Sequence, residues 1–567
     1  MTLNTSKTKV MLFGSKDGKV NLTLNGDAVE QVDCIKYLGV WLDNNLTFLQ
    51  QAEYAASKAT KAAWKVNRLI DGRKGLTPKT GTVLYKCLIR PCWEFSIAAW
   101  ANLPEKGIRL LEQVQARCLR TILGTKSHAA TDAMEVIANV MPVRLRIQQL
   151  CALEYTRIEQ KPQDSHLQLL LQQALVSESS FTTMRFLYYQ AKRIHDIFDH
   201  LEIVPEHKIQ AEEILSDGRI DYIDIFCGTD ARKELALRDQ VDAFITRHRH
   251  ESLLAFTDGA VNEFGRGSSA VVMLPLELGC PEIEVKQIHA TLISSLEAEI
   301  AALVLAMEQA IMYFEDNAAK SKAKQCQLII LSDCKSAIKC ILRRSVMHHH
   351  HELMARVRSS VRALLDWNTR VVLAWIPSHS DIFFNEKADS LARQALQQLP
   401  TVSRTPFTFP TWKSLTLRQM IQCWQIRWDR STTGRATYDV MQAVGNRSIF
   451  PQNRNVAISY VRLLLNDTTL REHQHRMGLA DTKICENDDG IEDVYHFFFQ
   501  CSRYSDIRTK LKQEIQHIWT DSGRNGSPRW SVALLLAPST VTAFTKLQSR
   551  AVLAATFEFI QQSRRHL

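Results

Sequence analysis

From Leu253 onwards, strand-like and helix-like periods alternate in an order that few folds can accommodate. Three segments with strand character come first, and helix, strand, helix, strand and helix follow them. The predicted strands cover residues 253–258, 267–274, 282–289, 327–332 and 371–376. This order predicts an α/β domain that contains a mixed five-stranded sheet with flanking helices.

The regions on both sides of this domain have mainly helical patterns. Short strand-like runs open the chain, and apolar residues then recur at alternating intervals of four and three from Ala52 to Ile70. Residues 201–252 are mixed and polar, and helical spacing returns after Pro400. We therefore expect a helical region over 1–200, a linker over 201–252, the α/β domain over 253–398 and a helical region over 399–567.

Composition excludes collagen-like, wholly disordered and disulfide-scaffold proteins. The 567 residues are 45% hydrophobic and 23% charged, which is typical of a folded protein with several domains. The 13 cysteines lie mostly in apolar runs, so we expect reduced thiols in the nucleus or cytoplasm rather than disulfides. The first residues lack an apolar signal core and charges interrupt every long apolar stretch, so we expect no membrane contact. A net charge of +10 permits nucleic-acid binding without requiring it.

Two of the predicted strands end in a carboxylate. The apolar run Leu253–Asp258 is followed by Gly259, and Leu328–Asp333 has the same design. Neighbouring parallel strands would hold the two aspartates about 5 Å apart at the carboxyl edge of the sheet, where open α/β sheets bind ligands. Two anions this close repel each other unless a cation lies between them. The alternative, in which each aspartate only caps the next helix, is the more common role of a single such residue.

Further carboxylates lie on the helices that follow. Glu297 and Glu299 both border the apolar stripe of the helix predicted near 295–313, and periodicity does not choose between them. Asp389 lies at the start of a later helix, and His379 precedes that helix directly after a strand. Four carboxylates and a histidine at one end of a domain are a ligand set for two Mg²⁺ ions in phosphodiester hydrolysis.

Together these motifs resemble a type 1 ribonuclease H domain, in the form carried by non-LTR retrotransposons. The resemblance covers about 253–398 and rests on the runs Thr257-Asp-Gly259, Leu296-Glu-Ala-Glu299, Leu331-Ser-Asp333, Trp375-Ile-Pro-Ser-His379 and Asn385-Glu-Lys-Ala-Asp389. It implies an endonuclease that cleaves the RNA strand of an RNA/DNA hybrid. It also selects Glu299 rather than Glu297 as the ligand.

The resemblance implies a role for each residue of the site. Asp258 would contact both of two Mg²⁺ ions, which Mn²⁺ can replace, and Asp389 would complete the site that activates water. Glu299 and Asp333 would hold the ion at the leaving 3′ oxygen, and His379 would move protons or help to release product. The loop that begins at Ser380 lacks the glycines that related elements usually have there.

Basic residues recur along the helix predicted after Asp333. Lys335, Lys339 and Arg343 align on one side of it and could follow the phosphates of a nucleic acid. The alternative is a solvated helix face.

The first 150 residues resemble the part of a non-LTR retrotransposon reverse transcriptase that follows its polymerase site. The runs that carry this resemblance are Lys7-Thr-Lys-Val-Met-Leu-Phe13, Tyr37-Leu-Gly-Val-Trp-Leu-Asp43 and Leu111-Glu-Gln-Val-Gln-Ala-Arg117. They imply a palm edge and a thumb-like helical region. Polymerisation needs paired aspartates, but the chain's only such pair, Asp488-Asp489, lies far downstream in a polar loop. We therefore expect no reverse transcriptase activity from this chain.

A Cys/His cluster over 485–501 resembles the zinc knuckle that ends such polyproteins. Cys485, His496 and Cys501 match its ligand positions, and Asp488 stands where the family has a second cysteine. A carboxylate in place of a thiolate should weaken Zn²⁺ binding at a structural site. The alternative is a helical tail in which these residues only pack among neighbouring phenylalanines.

Two functions are consistent with these patterns. The first is an endoribonuclease that cleaves RNA/DNA hybrids by two-metal hydrolysis, as a fragment of a retrotransposon polyprotein. The second is a decayed, inactive copy that acts at most as a nucleic-acid-binding or structural module. The four carboxylates favour the first function, whereas the loop without glycines and the missing knuckle cysteine favour the second.

Overall fold

A computed structural model of the chain describes most of its residues. The described residues are 7–14, 18–70, 75–161, 165–176, 183–195, 201–203, 220–225, 234–262, 266–277, 279–317, 326–342, 351–378, 380–397, 405–407, 409–446, 448–487, 490–521, 523–540, 544–565 and 567. The chain divides into two units. One comprises Met1–Cys151, Phe181–Gln190 and Arg418–Leu567, and the other comprises Ala152–Ser180 and Ala191–Leu417.

The second unit is built on a sheet with eight strands in its described part. In chain order they are β1 (Leu201–Ile203), β2 (Ile220–Ile223), β3 (Ser252–Val261), β4 (Arg266–Leu274), β5 (Ile283–Leu292), β6 (Cys326–Ser332), β7 (Thr369–Trp375) and β8 (Thr405–Phe407). Their spatial order is β1-β8-β5-β4-β3-β6-β7-β2. The pairs β3–β4 and β4–β5 are antiparallel, and the other five pairs are parallel. The predicted mixed sheet is therefore confirmed.

The five predicted strands are the central strands β3 to β7. Three further strands extend the sheet at its two edges. Two of these, β1 and β2, come from residues 201–252, for which the sequence predicts a linker, and the same segment forms helix α1 (Glu234–His248). The division of the chain into four regions stays a prediction.

Helices cover both faces of this sheet. After α1 they are α2 (Ser295–Asp316), α3 (Lys335–Leu342), α4 (His351–Asp366) and α5 (Phe383–Gln397). Successive side chains of a strand point to opposite faces, so β3 contributes Leu253 and Ala255 to a core with α2, α3 and α4. Its Leu254 and Phe256 enter a second core, with α1 and α5. Burial on both faces explains why the strand sequences are almost continuously apolar.

The first unit is mainly helical, as the sequence predicts. It begins with short strands: Lys9–Val10, Thr23–Leu24, Asp27–Ala28, Glu30–Gln31, Cys34–Tyr37 and Val40–Asp43. Its helices before residue 151 are Leu49–Ile70, Pro78–Leu84, Pro91–Glu94, Ile97–Trp100, Glu105–Leu123 and Thr131–Ala138, with a π-helical turn over Tyr85–Ile89. Its helices after residue 418 are Arg435–Val440, Arg454–Leu465, Arg471–Arg476, Val494–Phe499, Ser505–Thr520, Val532–Leu536 and Lys546–Ser563.

Four more α-helices, together with the 3-10 helices Ser502–Tyr504 and Pro538–Thr540 of the first unit, complete the described elements. His166–Val176 belongs to the second unit, and Val143–Glu159, Thr183–His195 and Phe409–Arg430 contain residues of both units. In the described part of the chain, no helix combines the length and the apolar character needed to cross a membrane.

Candidate active site

Asp258 and Asp333 lie side by side near the carboxyl ends of two central strands of the sheet. Strands β3 and β6 are parallel, and Thr257 pairs with Ser332 in their register. The next residue on β3 is Asp258, and Asp333 directly follows β6, so the two carboxylates are neighbours across one strand spacing. The sequence places both aspartates at strand ends, and Asp333 does follow its strand, but β3 continues to Val261, so Asp258 lies within its strand.

Gly259 allows helix α2 to approach strand β3 closely beside Asp258. A Cβ atom at Gly259 would stand 2.4 Å from the Ala298 carbonyl carbon and 2.5 Å from the Glu299 amide nitrogen. The Ser269 hydroxyl, on the neighbouring strand β4, also donates a 2.8 Å hydrogen bond to the Ala298 carbonyl. The helix backbone therefore touches β3 directly after Asp258, and Glu299 projects beside the two aspartates.

The structure distinguishes the two glutamates that periodicity leaves open. Glu297 is buried and forms a capping box with Ser294, and its Oε2 atom also accepts a hydrogen bond from the Thr411 hydroxyl. Glu297 therefore secures the start of α2. Glu299 instead lies within 4.8 Å of Asp258 and Asp333, measured between potential ligand atoms.

A fourth carboxylate, Asp389, completes a cleft of about 350 Å³ beside the other three. It lies on α5 and forms an ion pair with Arg393, with 2.8 Å between Asp389 Oδ1 and Arg393 Nε. The cleft is lined by Asp258, Gly259, Ala260, Val261, Glu299, Asp333, Asn385, Glu386, Asp389, Arg393 and Leu396. All four predicted carboxylate ligands therefore share one cleft.

Burial and mutual repulsion make two of these carboxylates, Asp258 and Glu299, hard to ionise. The pKa of Asp258 is raised to about 7, mainly by burial and then by Asp333 and Asp389, although Arg393 opposes this rise. The pKa of Glu299 is raised to about 9 by burial, with further contributions from Asp258 and Asp333. The cluster therefore favours the uptake of positive charge, as protons or as metal cations.

The segment of the chain that forms this cleft matches a known protein family. Residues 250–397 match RNase H. This segment is a ribonuclease H domain. The match agrees with the predicted fold class, with its mixed sheet and flanking helices.

Curated relatives come from mobile elements. The chain is 25% identical to the RNA-directed DNA polymerase from mobile element jockey of Drosophila funebris over 141 residues, which is 25% of this chain and 15% of that protein. It is 31% identical to the Retrovirus-related Pol polyprotein from type-1 retrotransposable element R1 of Bradysia coprophila over 144 residues, which is 25% of this chain and 13% of that protein. The chain is thus homologous to non-LTR retrotransposon polyproteins, but the aligned segment spans about one seventh of their length.

Solved structures of two ribonucleases H are also similar to part of the chain. RNase H1 from Halobacterium salinarum is 20% identical, with 26% of this chain and 99% of that chain covered and a TM-score of 0.20. LC11-RNase H1 in complex with an RNA/DNA hybrid is 15% identical, with the same coverage and a TM-score of 0.21.

The backbone of Asp333 in the ribonuclease H domain is held by a tryptophan. The Trp375 indole Nε1 donates a 3.0 Å hydrogen bond to the Asp333 carbonyl, which also accepts one from the Lys335 amide. The Lys335 ammonium lies 4.7 Å from the centre of the Trp375 ring. Both Lys335 and Lys339 are exposed on α3.

Some predicted site residues lie outside the described part of the chain. These are His379, Arg343 and Asp488. Conversely, the sequence analysis does not single out Arg393. The sequence feature that could have identified Arg393 is its helical spacing from Asn385 and Asp389, because this spacing places all three residues on one face of α5.

The knuckle-like segment of the first unit brings three of its four predicted ligands together. Potential ligand atoms of Cys485, His496 and Cys501 all lie within 4.8 Å of one another, and all three residues are buried. The two sulfur atoms are 3.9 Å apart. A short hairpin supports the first cysteine, because the Cys485 amide donates to the Gly490 carbonyl.

Another cluster in the first unit contains His128, Asp467 and His473, which the sequence analysis does not identify. Asp467 Oδ1 lies 3.2 Å from His128 Nε2 and 3.5 Å from His473 Nε2. Arg476 donates a 2.8 Å hydrogen bond to His473 Nδ1. Because a guanidinium only donates, neutral His473 carries its proton on Nε2 and turns that N–H towards Asp467. Asp467 thus lies between two histidine side chains in a compact polar cluster.

Proposed function

We propose that the ribonuclease H domain hydrolyses the RNA strand of RNA/DNA hybrids, and that its four cleft carboxylates hold two divalent cations. The observation that carries this proposal is the convergence of Asp258, Glu299 and Asp333 within 4.8 Å, with Asp389 in the same cleft. The match of residues 250–397 to RNase H supports the choice of substrate.

The chemistry of the donor set fits Mg²⁺, and Mn²⁺ as its substitute. All four proposed ligands are carboxylates, and hard divalent cations prefer oxygen ligands. Glu299 Oε2 is buried and accepts no hydrogen bond from any described residue. A buried carboxylate oxygen without a partner is costly, so a bound cation would stabilise it.

Each part of the domain has a definite task in this proposal. Bound Mg²⁺ ions would supply the charge that stabilises the attacking and leaving oxygens of the phosphodiester. The parallel strands fix Asp258 beside Asp333, and the close contact at Gly259 places Glu299 against them. Exposed Lys335 and Lys339 would bind phosphates of the hybrid next to Asp333. His379 would serve proton transfer or product release, as the resemblance implies.

Cleavage of a labelled RNA/DNA hybrid by the full chain with Mg²⁺ tests this function. We expect Asp258→Asn and Asp389→Asn each to reduce the rate at least about a hundredfold, because charge that stabilises the transition state is lost. Asp366→Asn, on the exposed end of α4, is the matched control and should cleave normally. Normal cleavage by the Asp258 variant would remove this assignment, and no cleavage by the native chain would favour the decayed module.

We also propose that Cys485, His496 and Cys501 hold a structural Zn²⁺ with Asp488 as the fourth ligand. In a tetrahedral site with Zn–S distances of about 2.3 Å, two sulfurs stand roughly 3.8 Å apart. The observed distance of 3.9 Å agrees with this value. Buried thiols and an imidazole at this spacing fit zinc. A carboxylate as the fourth ligand would make zinc binding weaker than a thiolate or an imidazole in that position would.

A further inference from the structure

Arg393 is a cation inside the acidic cleft of the ribonuclease H domain. It lies one helical turn after Asp389, and their ion pair has a 2.8 Å separation between Nε and Oδ1. Among the described residues that line the cleft, Arg393 is the only one with a cationic side chain, whereas five are carboxylates. Its charge also acts on Asp258, since it partly offsets the rise in the pKa of that residue.

The ion pair divides the proposed ligands into two groups. Asp258, Glu299 and Asp333 lie within 4.8 Å of one another, so they can receive one cation without rearrangement. Asp389 is already bound to the Arg393 guanidinium. A second cation that uses Asp389 must therefore compete with a positive charge that is already paired with this carboxylate.

The Arg393 side chain extends into solvent at the rim of the cleft. It is 65% exposed, whereas Asp389 is 25% exposed. A guanidinium at the rim of a cleft that receives a phosphodiester is well placed to bind a phosphate oxygen, because its planar donors match that group.

We propose that Arg393 is an internal counter-ion that competes with the second divalent cation for Asp389, and that its displacement turns the guanidinium towards a phosphate of the substrate. This inference rests on the proposed function. It makes Arg393 a positioning residue that links metal loading to substrate binding, since the guanidinium becomes available when the second cation arrives.

The test compares Arg393→Gln and Arg393→Lys with the native full chain. Binding of Mn²⁺, followed by electron paramagnetic resonance without substrate, should be about two to five times tighter in Arg393→Gln, which matches the usual strength of an exposed ion pair. Arg393→Lys should remain near the native affinity because it keeps the charge. Arg238→Gln, which removes an exposed Arg–Asp pair on α1, is the matched control and should not change Mn²⁺ binding.

Two further measurements separate this role from a merely structural one. Without metal, Arg393→Gln should unfold at a lower temperature than the native chain, and added Mn²⁺ should stabilise it by a larger shift. In steady-state cleavage, the same variant should show a raised KM for the hybrid. Damage to the fold alone would weaken Mn²⁺ binding rather than tighten it.

The outcomes distinguish this inference from the proposed function. Unchanged or weaker Mn²⁺ binding by Arg393→Gln would overturn the counter-ion role even if the native chain cleaves hybrids. Tighter Mn²⁺ binding with an unchanged KM would overturn the phosphate contact. If the native chain does not cleave at all, the proposed function fails, while the Mn²⁺ measurements still decide whether Arg393 competes for Asp389.

Discussion

The backbone of Glu299 rests against Gly259 so closely that no other residue fits at position 259 without a shift. A Cβ atom there would be 2.5 Å from the Glu299 amide nitrogen, well inside the usual contact distance between such atoms. The glycine after Asp258 thus sets how near the helix glutamate comes to the strand aspartates. Glycine is needed at position 259 because two backbones pack closely there, and not because the chain turns.

Gly259→Ala should therefore separate Glu299 from Asp258. We expect a loss of hybrid cleavage of at least about tenfold and a loss of stability of about 1–3 kcal/mol, because an overpacked contact between backbones must open. The measurements are cleavage rate and denaturant unfolding.

Gly279→Ala is the control for the Gly259 variant. A Cβ atom at Gly279 would contact nothing within 4 Å, but its φ of +89° makes alanine unfavourable there. This control should lose some stability and keep its cleavage rate per folded molecule. Equal cleavage by both variants would show that the approach of α2 to Gly259 does not control the site.

The pKa shifts of the cleft predict how stability depends on pH. The pKa of Asp258 rises from 3.8 to about 7, and that of Glu299 rises from 4.5 to about 9. An acid with a raised folded-state pKa binds protons more tightly in the folded state, so its contribution is complete below the unfolded pKa and disappears as pH rises. The metal-free chain should therefore lose stability between about pH 4 and pH 9.

Denaturant unfolding in a chelator, repeated at several pH values, measures this loss. Glu299→Gln should flatten the upper part of the curve, because it removes the group that titrates last. Saturating Mg²⁺ should also reduce the loss, since the cation takes the place of the protons. Asp366→Asn is the control and should follow the native curve. A native curve that rises between pH 5 and pH 9 without metal would contradict the assigned repulsion.

Most of what the sequence predicts about this site comes from the apolar pattern of two strands and from the aspartate that follows each apolar run. The runs that end in Asp258 and Asp333 are apolar on both faces because helices cover both faces. Their positions in sequence therefore translate directly into neighbouring positions in space. The mixed central sheet follows from the same patterns.

Other features depend on contacts that no local pattern reports. The choice between Glu297 and Glu299 rests on the capping box of Ser294 and on a partner more than a hundred residues away, Thr411. Strands β1 and β2 are short edge strands from a polar segment, and they pair with strands distant in sequence. Arg393 resembles any exposed basic helix residue until the fold places Asp389 in the cleft.

Trp375→Phe tests how the domain fixes Asp333. The variant keeps an aromatic ring beside Lys335 but removes the indole N–H that donates to the Asp333 carbonyl. We expect a stability loss of about 0.5–1.5 kcal/mol and a several-fold increase in the Mg²⁺ concentration needed for half-maximal cleavage. Trp367→Phe, before the opposite end of β7, should leave the Mg²⁺ requirement unchanged. If both variants behave alike, the hydrogen bond does not position Asp333.

The knuckle-like segment makes a separate prediction about zinc. The full chain should bind one Zn²⁺ at this segment, and Asp488→Cys should bind it at least about tenfold more tightly, because a thiolate suits zinc better than a carboxylate. Cys501→Ser should lose the ion, whereas Cys118→Ser, at a buried cysteine elsewhere in the same unit, should retain it. Zinc stoichiometry and zinc affinity, the latter by competition with a chelator, are measured for the native chain and for the three variants.

The pH dependence of zinc binding gives an independent check. Thiols must release protons when they bind zinc, so the affinity of the native chain should fall as pH decreases, and it should fall more steeply for Asp488→Cys, which has one more thiol. If neither the native chain nor Asp488→Cys holds zinc, Cys485, His496 and Cys501 are packing residues. If the two bind equally tightly, the softness of the fourth ligand does not limit this site, and the three described ligands alone determine its affinity.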